Sequence, residues 1–268
     1  MTLNPNNFFE TKSARLPFNK YQSNIYSQNG EDGVIAEILK RLGLFNDNNW
    51  CVEFGAWDGK YLSNTFALVE RHNFNAVYIE GEEKKFQDLL ETAKTFRKII
   101  PICAYVDSQP DDENSLDNLL AGTKIPKDFE LLSIDIDSYD LDVWESLTIF
   151  SPKIVVIEIN SSIPPGIVWR HSTKLRGNTF TATCNVAQQK GYTPVCHTGN
   201  LILVRNDLID KLDLDNRYLA HPELLFLFDS MWISEPMFKI PPVSVARKVA
   251  AKVLPTPVRF SIKKLFGN

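Results

Sequence analysis

Apolar residues occur along the chain in short runs that alternate with amphipathic stretches. From Gly30 to Leu42 they recur at helical spacing, which predicts a helix that leads into an apolar run beginning at Trp50. Further on, the pattern predicts strands at residues 75–80, 99–106, 131–136 and 154–159, and helices at residues 63–72, 82–96, 115–120 and 141–150. This alternation predicts an α/β fold, with a mostly parallel sheet and helices on both faces.

The last part of the pattern breaks the alternation. A helix is predicted at residues 179–190, with Gly191 as its C-cap, and two strands follow at residues 192–196 and 201–205. The short connection between these strands permits only an antiparallel hairpin. Parallel strands followed by a helix and a terminal hairpin give the seven-stranded, Rossmann-like arrangement of class I methyltransferases, whereas a dinucleotide-binding fold keeps its last strand parallel.

An acid and a glycine-containing turn follow the first apolar run, at residues 52–59 (Val-Glu-Phe-Gly-Ala-Trp-Asp-Gly). A strand that feeds such a turn lies at the carboxyl edge of an α/β sheet, where ligands bind. The turn has Gly55 and Gly59, but it lacks the third glycine of a dinucleotide fingerprint and the Gly-Lys-Ser/Thr of a P-loop. We therefore expect no pyrophosphate site here, and the Glu53 carboxylate suits a cationic or hydroxyl-rich ligand.

Acidic residues recur at the predicted carboxyl ends of the strands: Glu53, Glu80, Asp107, Asp135 with Asp137, and Glu158. Such ends meet at one edge of a parallel sheet, so the sequence predicts carboxylates around one crevice. Glu80 is placed to accept both hydroxyls of a ribose, and Asp107 to accept from an adenine amino group. The alternative is that these acids are solvated strand ends or helix N-caps.

Several motifs together resemble the FkbM-like branch of S-adenosylmethionine-dependent methyltransferases. They are residues 27–32 (Ser-Gln-Asn-Gly-Glu-Asp), the turn at 53–59 with Ser-Asn-Thr at 63–65, residues 78–80 (Tyr-Ile-Glu), 135–137 (Asp-Ile-Asp) and 156–160 (Val-Ile-Glu-Ile-Asn). The resemblance runs from residue 27 to residue 207. The chain departs from the commonest form of the turn, which has Asp in place of Glu53 and Asn in place of Trp57.

The resemblance implies a set of cofactor-binding residues. Glu53, Gly55 and Asp58 would line the methionine and ribose part of S-adenosylmethionine, Glu80 would bind the ribose, and Asp107 would lie near the adenine. The remaining members of the set come from the same motifs: Gln28, Ser63, Asn64 and Asp135.

Asp135, Asp137, Glu158 and Asn160 fall at the ends of two strands that we expect to be neighbours. Because side chains alternate along a strand, we expect Asp135 and Asp137 on one face of their strand, and likewise Glu158 and Asn160 on one face of theirs. Three carboxylates and an amide suit Mg²⁺, which prefers oxygen ligands. By analogy, some sugar O-methyltransferases of related fold use such a metal. The alternative is that Asp137 is the catalytic base and Glu158 a structural acid.

Methyl transfer to a hydroxyl needs alignment of the two substrates and removal of the acceptor's proton. Asp137 and His171 are the candidate bases. His171 follows the stiff segment 163–166 (Ile-Pro-Pro-Gly) just past the fifth strand, which places it near the mouth of the crevice. The alternative for His171 is a surface residue without a catalytic role, and His197 at the hairpin turn is a weaker candidate.

Composition narrows the function classes only slightly. Of the 268 residues, 44% are hydrophobic and 23% charged, as in a globular protein, and the net charge of −4 argues weakly against nucleic acid as the main partner. The cysteines are scattered in apolar surroundings, which favours reduced core thiols. With no recognisable secretion leader or membrane span, we expect a cytoplasmic protein.

The expected organisation is an N-terminal extension (1–26), an S-adenosylmethionine-binding methyltransferase domain (27–210), an aromatic-rich lid or oligomer-contact segment (211–242) and a basic tail (243–268). The tail contains six basic residues and no acids, interspersed with apolar residues. Peripheral contact with an anionic membrane, a flexible tail, and docking on a second copy in a homo-oligomer all stay open.

These observations predict an S-adenosylmethionine-dependent O-methyltransferase acting on a sugar, a glycan or a phosphorylated glycan precursor, in which the sugar rests on the resemblance alone. A nucleotide-binding oxidoreductase or epimerase is disfavoured by the missing third glycine and the terminal hairpin. A degenerate methyltransferase fold kept as a binding or scaffold protein would have a damaged cofactor site, whereas Glu53, Gly55, Asp58 and Glu80 are all present.

Overall fold

The computed structural model describes residues 16–136, 138–173 and 176–227. Within these ranges seven strands form one sheet: β1 (Trp50–Phe54), β2 (Asn75–Glu80), β3 (Ile99–Cys103), β4 (Leu131–Ile134), β5 (Ile154–Glu158), β6 (Tyr192–His197) and β7 (Asn200–Arg205). The strand order is β3-β2-β1-β4-β5-β7-β6. β1 to β5 are parallel, and β7 is antiparallel to both β5 and β6. This confirms the predicted parallel sheet with its terminal hairpin.

The first six helices lie where the pattern predicts them. The helices are α1 (Glu31–Leu42), α2 (Phe66–His72), α3 (Glu83–Thr95), α4 (Leu116–Ala121), α5 (Asp140–Ser146), α6 (Phe180–Lys190) and α7 (Asn216–Ala220). Helix α5 ends four residues earlier than predicted, and α7 was not predicted. Short 3₁₀ helices lie at Asn19–Tyr21, Asn206–Leu212 and Pro222–Leu225. Gly191 ends α6 in the left-handed conformation, as predicted for its C-cap. None of the helices in the described ranges has the length and apolar character needed to cross a membrane.

Each face of the sheet carries its own hydrophobic core, because successive strand side chains point to opposite faces. Cys51 and Tyr78 pack with the apolar residues of α1, α2 and α3 on one face. Val52 and Val77 pack with α4, α5 and α6 on the other, around the fully buried Trp144. Burial of each large apolar side chain stabilises the fold by about 1.5–3 kcal/mol, so both layers of helices are held firmly on the sheet.

The ends of β1 to β5 define the carboxyl edge of the sheet, and two further segments reach it. The hairpin turn between β6 and β7 lies there, because Asn200 pairs in register with Glu158 at the end of β5. The start of α1 lies there too, since the buried Glu31 carboxylate accepts from Thr198 Oγ1 at 2.6 Å and from Asn200 Nδ2 at 3.2 Å. Elements from both ends of the domain therefore border the carboxyl edge.

The segments outside the predicted methyltransferase domain are described only in part. Phe18 and Asn19, in the predicted N-terminal extension, are buried, and Asn19 Nδ2 donates to the His197 carbonyl at 2.8 Å. Leu212 and Leu225, from the predicted lid segment, are fully buried in the same core. The rest of that segment from residue 228 on and the basic tail lie outside the described residues, so the lid, oligomer and membrane predictions stay predictions.

Candidate functional site at the carboxyl edge of the sheet

Glu53, near the end of β1, is buried and bonded within the chain. Its carboxylate accepts from Ser63 Oγ at 2.6 Å, from the Asn64 amide at 3.1 Å and from Thr65 Oγ1. Burial raises the pKa of Glu53, and the hydrogen bonds from Ser63 and Thr65 oppose that shift. Glu53 thus ties the end of β1 to the segment that leads into α2.

Ser63 and Asn64, two residues expected at the cofactor, belong to this buried polar network. Ser63 Oγ also accepts from the Phe66 amide at 2.9 Å and so satisfies a donor at the start of α2. Asn64 Nδ2 donates to Ser133 Oγ on β4 at 3.1 Å. Through these hydrogen bonds the network connects β1 and β4 to the start of α2.

The turn after β1 depends on Gly55. Its φ of +79° falls in the left-handed region, and a Cβ atom there would lie 1.9 Å from the Asp135 carbonyl oxygen. The turn and the loop after β4 are therefore in backbone contact. Asp58 Oδ1 accepts from the amides of Lys60 and Tyr61 at 2.9 and 2.7 Å, which stabilises the next turn of the same loop.

Glu80 ends β2 next to this turn and is 7% exposed. Its Oε2 accepts from the Trp57 amide and its Oε1 from the Glu82 amide, both at 2.8 Å. A carboxylate oxygen has about two acceptor positions, so each oxygen keeps one beyond the bonds that it accepts from the described residues. A carboxylate fixed in this way presents a pair of acceptors, which is what a vicinal diol requires.

Tyr105 provides an aromatic surface beside Glu80 that the sequence analysis missed. The next residue after Glu80 is Gly81, where a Cβ atom would lie 2.3 Å from the Tyr105 ring. The ring is nevertheless 74% exposed, so its outer face is open to a ligand. A glycine directly after Glu80, followed by an aromatic residue after the third strand, was the signal that could have revealed it.

Asp107 lies four residues past the end of β3, in a loop, and not at the strand end where the sequence analysis placed it. The residue is half-buried, and its Oδ1 accepts from the Gln109 amide at 2.7 Å. Its backbone pairs with Ser115, the N-cap residue of α4. The expected contact with adenine stays a prediction.

The acids proposed to hold Mg²⁺ are only partly described. Asp135 is exposed directly after β4, Glu158 is the last residue of β5, and Asp137 lies outside the described residues. Nowhere in the described ranges do three or more His, Cys, Asp or Glu residues come close enough to hold a metal ion. The described residues thus give the Mg²⁺ prediction no support.

His171 lies half-buried in the loop between β5 and α6. Its Nδ1 accepts a hydrogen bond from the Gly177 amide at 3.2 Å. The centroid of its ring lies 4.7 Å from the centroid of the Tyr139 ring. In this arrangement neutral His171 carries its proton on Nε2, so a role as base requires Nδ1 to release the bond from Gly177. Whether His171 or Asp137 removes a proton stays a prediction.

His197, the weaker histidine candidate, is fully buried. Its Nδ1 accepts from the Leu227 amide at 2.8 Å, its Nε2 lies 2.8 Å from Ser161 Oγ, and its ring stacks on Phe226. Burial lowers the pKa of His197 to about 3. The imidazole therefore stays neutral and serves to anchor the segment that follows Pro222–Leu225.

The segment before α1 is fixed by hydrogen bonds to its own backbone. Gln28 is exposed, and its carbonyl accepts from Asn24 Nδ2 at 2.9 Å. The buried Asp32 carboxylate accepts from three successive amides, of residues 25–27, each at 2.8 Å. Glu31 and Asp32 belong to the motif at residues 27–32, but no pattern in the sequence identifies their partners.

A cavity of about 690 Å³ lies elsewhere, between α6, the edge strand β6 and the segment after α7. Phe180, Cys184, Tyr192 and Pro222 are among its lining residues, and none of the predicted site residues lines it. The candidate site is thus an open edge of the sheet and does not coincide with this cavity.

The strand order and the antiparallel β7 define the class I methyltransferase fold, as predicted. No protein-family model matches the chain, and no curated protein matches it.

Among solved structures, the chain is similar to M. capricolum TrmK in complex with S-adenosylhomocysteine, with 14% identity, 85% of this chain and 92% of that chain covered, and a TM-score of 0.44. It is also similar to the N-terminal domain of EvdMO1 with S-adenosylhomocysteine bound, with 10% identity, coverage of 69% and 81%, and a TM-score of 0.41. For the METTL16 methyltransferase domain the identity is 10%, the coverage 65% and 66%, and the TM-score 0.42. With similarity at this level, the fold class rests on the strand order itself.

Proposed function

We propose that the chain is an S-adenosylmethionine-dependent methyltransferase that methylates a hydroxyl of a sugar, a glycan or a phosphorylated glycan precursor. The observation that carries the cofactor assignment is the Glu80 carboxylate, which two backbone amides hold at the end of β2 with one acceptor position left on each oxygen. A ribose diol matches this pair of acceptors. S-adenosylmethionine would supply the methyl group from its sulfonium.

The surroundings of Glu80 support an adenosine ligand. The exposed face of Tyr105 lies beside Glu80, and an aromatic face of this kind binds a flat base by stacking. Gly55 leaves room for the close approach of the turn to the loop after β4. The dinucleotide alternative would need a glycine-rich pyrophosphate turn, which this loop lacks.

The hydroxyl acceptor is the finer part of the proposal. A neutral hydroxyl is a poor nucleophile, so a base near the carboxyl edge would assist, and Asp137 and His171 are the candidates. Tyr139 and Trp169 expose large aromatic surfaces on the loops after β4 and β5, against which the apolar face of a sugar ring can pack. The choice of a sugar otherwise rests on the family resemblance.

Calorimetric titration of the purified chain with S-adenosylhomocysteine, and separately with NAD, tests the proposal. Micromolar binding of S-adenosylhomocysteine alone would support it and justify a screen of methyl glycosides and nucleotide sugars as acceptors. Binding of neither ligand would favour a scaffold protein with a degenerate site. Binding of NAD would favour the oxidoreductase or epimerase alternative.

A requirement for Mg²⁺ through Asp135, Asp137 and Glu158 is kept as a separate proposal, because its donor set suits a hard cation. If it holds, EDTA should abolish turnover while binding of S-adenosylhomocysteine is retained, and added Mg²⁺ should restore activity. Full turnover in excess EDTA would refute it without affecting the cofactor proposal.

A further inference from the structure

Asp140 is the first residue of α5, and it binds the loop that precedes it. The side chain is buried, with an exposure of 1%. Its Oδ1 accepts from the Ile136 amide at 2.8 Å and its Oδ2 from the Ser138 amide at 2.9 Å. One carboxylate thus holds the backbone on both sides of position 137, the position of a candidate base.

The described residues of the loop after β4 also contact the rest of the candidate site. The Asp135 carbonyl lies where a Cβ atom of Gly55 would be, so the loop adjoins the turn after β1. At its other end, the Tyr139 ring contacts the ring of His171, the second candidate base. Displacement of the loop at Tyr139 would therefore reach His171, one of the two candidate bases.

We propose that Asp140 is a positioning residue for methyl transfer: its carboxylate fixes the loop after β4 so that the acceptor's proton is removed at the right place. This inference rests on the proposed methyltransferase function. Asp140 itself does not contact substrate or cofactor in this proposal, and it acts through the backbone at Ile136 and Ser138 and through the adjoining Tyr139.

The size of the effect follows from the two hydrogen bonds. The asparagine side chain in D140N keeps one carbonyl acceptor, but its amide group would face a backbone N–H, so one of the two bonds is lost. A reacting group misplaced by about 1 Å can lower a rate by about 100-fold. We expect D140N to reduce turnover by roughly 10- to 100-fold. The bonds to Glu80 are untouched, so the dissociation constant of S-adenosylhomocysteine should change by less than about threefold.

Asp117 offers a matched control in the same layer of helices. It is 7% exposed and accepts from the amides of Thr148, Ile149 and Phe150, in the loop that leads from α5 to β5. That loop lies at the opposite edge of the sheet. D117N therefore removes the same kind of bond from a buried acid without touching the candidate site.

The test compares full-length wild type, D140N, D140E and D117N. The measurements are binding of S-adenosylhomocysteine by calorimetry, amide hydrogen exchange at residues 136–139, and turnover with the methyl glycoside or nucleotide sugar that the wild type methylates. The inference predicts faster exchange in this loop and lower turnover in D140N, with near-normal cofactor binding. It predicts normal turnover in D117N at a temperature where that variant is folded.

Wild-type exchange at residues 136–139 in D140N would overturn the inference, as would turnover within twofold of wild type or an equal loss in D117N. If D140N does not fold, D140E decides, because it keeps the carboxylate but displaces it by one methylene. In D140E, turnover below a tenth of the wild-type rate with intact cofactor binding would support the inference, and higher turnover would overturn it. Failure of the wild type to bind S-adenosylhomocysteine would instead refute the proposed function on which the inference rests.

Discussion

Replacement of Glu80 by Gln is the most direct test of the cofactor site. The change is nearly isosteric, but it removes the charge and turns one of the two acceptor oxygens into a donor. In the wild type each oxygen has one backbone donor, from Trp57 or Glu82, and one acceptor position left for a ribose hydroxyl. Hydrogen bonds to a charged group contribute about 1.5–3 kcal/mol. We therefore expect the dissociation constant of S-adenosylhomocysteine to rise by roughly 10- to 150-fold in E80Q.

Calorimetry at a fixed salt concentration measures this change, with thermal unfolding to confirm that each variant is folded. E130Q is the matched control: Glu130 is also 7% exposed and accepts from a strand amide, that of Trp50 at 2.7 Å, but it lies where β1 begins. Glu130 also pairs with Lys153 at 3.0 Å, so E130Q should lower stability while cofactor affinity is unchanged. Affinity within twofold of wild type in folded E80Q would refute the ribose assignment.

Two further predictions concern the framework of the site. G55A should cost roughly 2–5 kcal/mol of unfolding free energy in urea and weaken S-adenosylhomocysteine binding, because it combines a left-handed φ with a clash against the Asp135 carbonyl. G43A, at a φ of +70° with nothing within 4 Å, should cost only about 1–2 kcal/mol, and equal costs would argue against the contact. Between pH 7 and pH 5, wild type should lose about 2 kcal/mol more stability than H197Q. The pKa of His197 is lowered to about 3, so its neutral form contributes fully above the unfolded pKa and less as the pH falls; parallel pH profiles for the two proteins would refute this.

The hydrophobic pattern predicted the sheet because each strand is a short apolar run bounded by turn residues. Where strand ends differ, the cause is the neighbouring strand. The run at residues 99–106 ends as a strand at Cys103, since Cys103 pairs with Glu80, the last residue of β2. The run at 131–136 ends at Ile134, since its partner Phe54 precedes the turn at Gly55. A single segment's pattern carries no information about where its neighbour stops.

The location of the candidate site was also predictable, since parallel strands end at one edge. The partners of its acids were not. Glu53 binds Ser63 and Thr65, which follow it by ten and twelve residues, and the bonds of Asp140 depend on how the loop after β4 folds back. Tyr105 was missed for a similar reason, because its position over Gly81 arises only when two loops meet. Alternation assigns a side chain to a face of the sheet but cannot identify its donors.

The recurrence of acids at the carboxyl edge has a cause other than ligand binding. Each parallel strand ends there in a turn whose backbone amides have lost their partners in the sheet, and buried amides need acceptors. A carboxylate accepts only, at up to four positions, so one acid can satisfy several amides at once. Asp140 does this for the amides of Ile136 and Ser138 after β4. Glu53 accepts from the Asn64 amide and from the hydroxyls of Ser63 and Thr65 in the segment that follows the turn after β1. Acceptor capacity alone does not separate a ligand-binding acid from these, because Asp140, like Glu80, accepts one of these amides on each oxygen. What distinguishes Glu80 is the exposed ring of Tyr105 beside it, which offers a flat ligand a stacking surface.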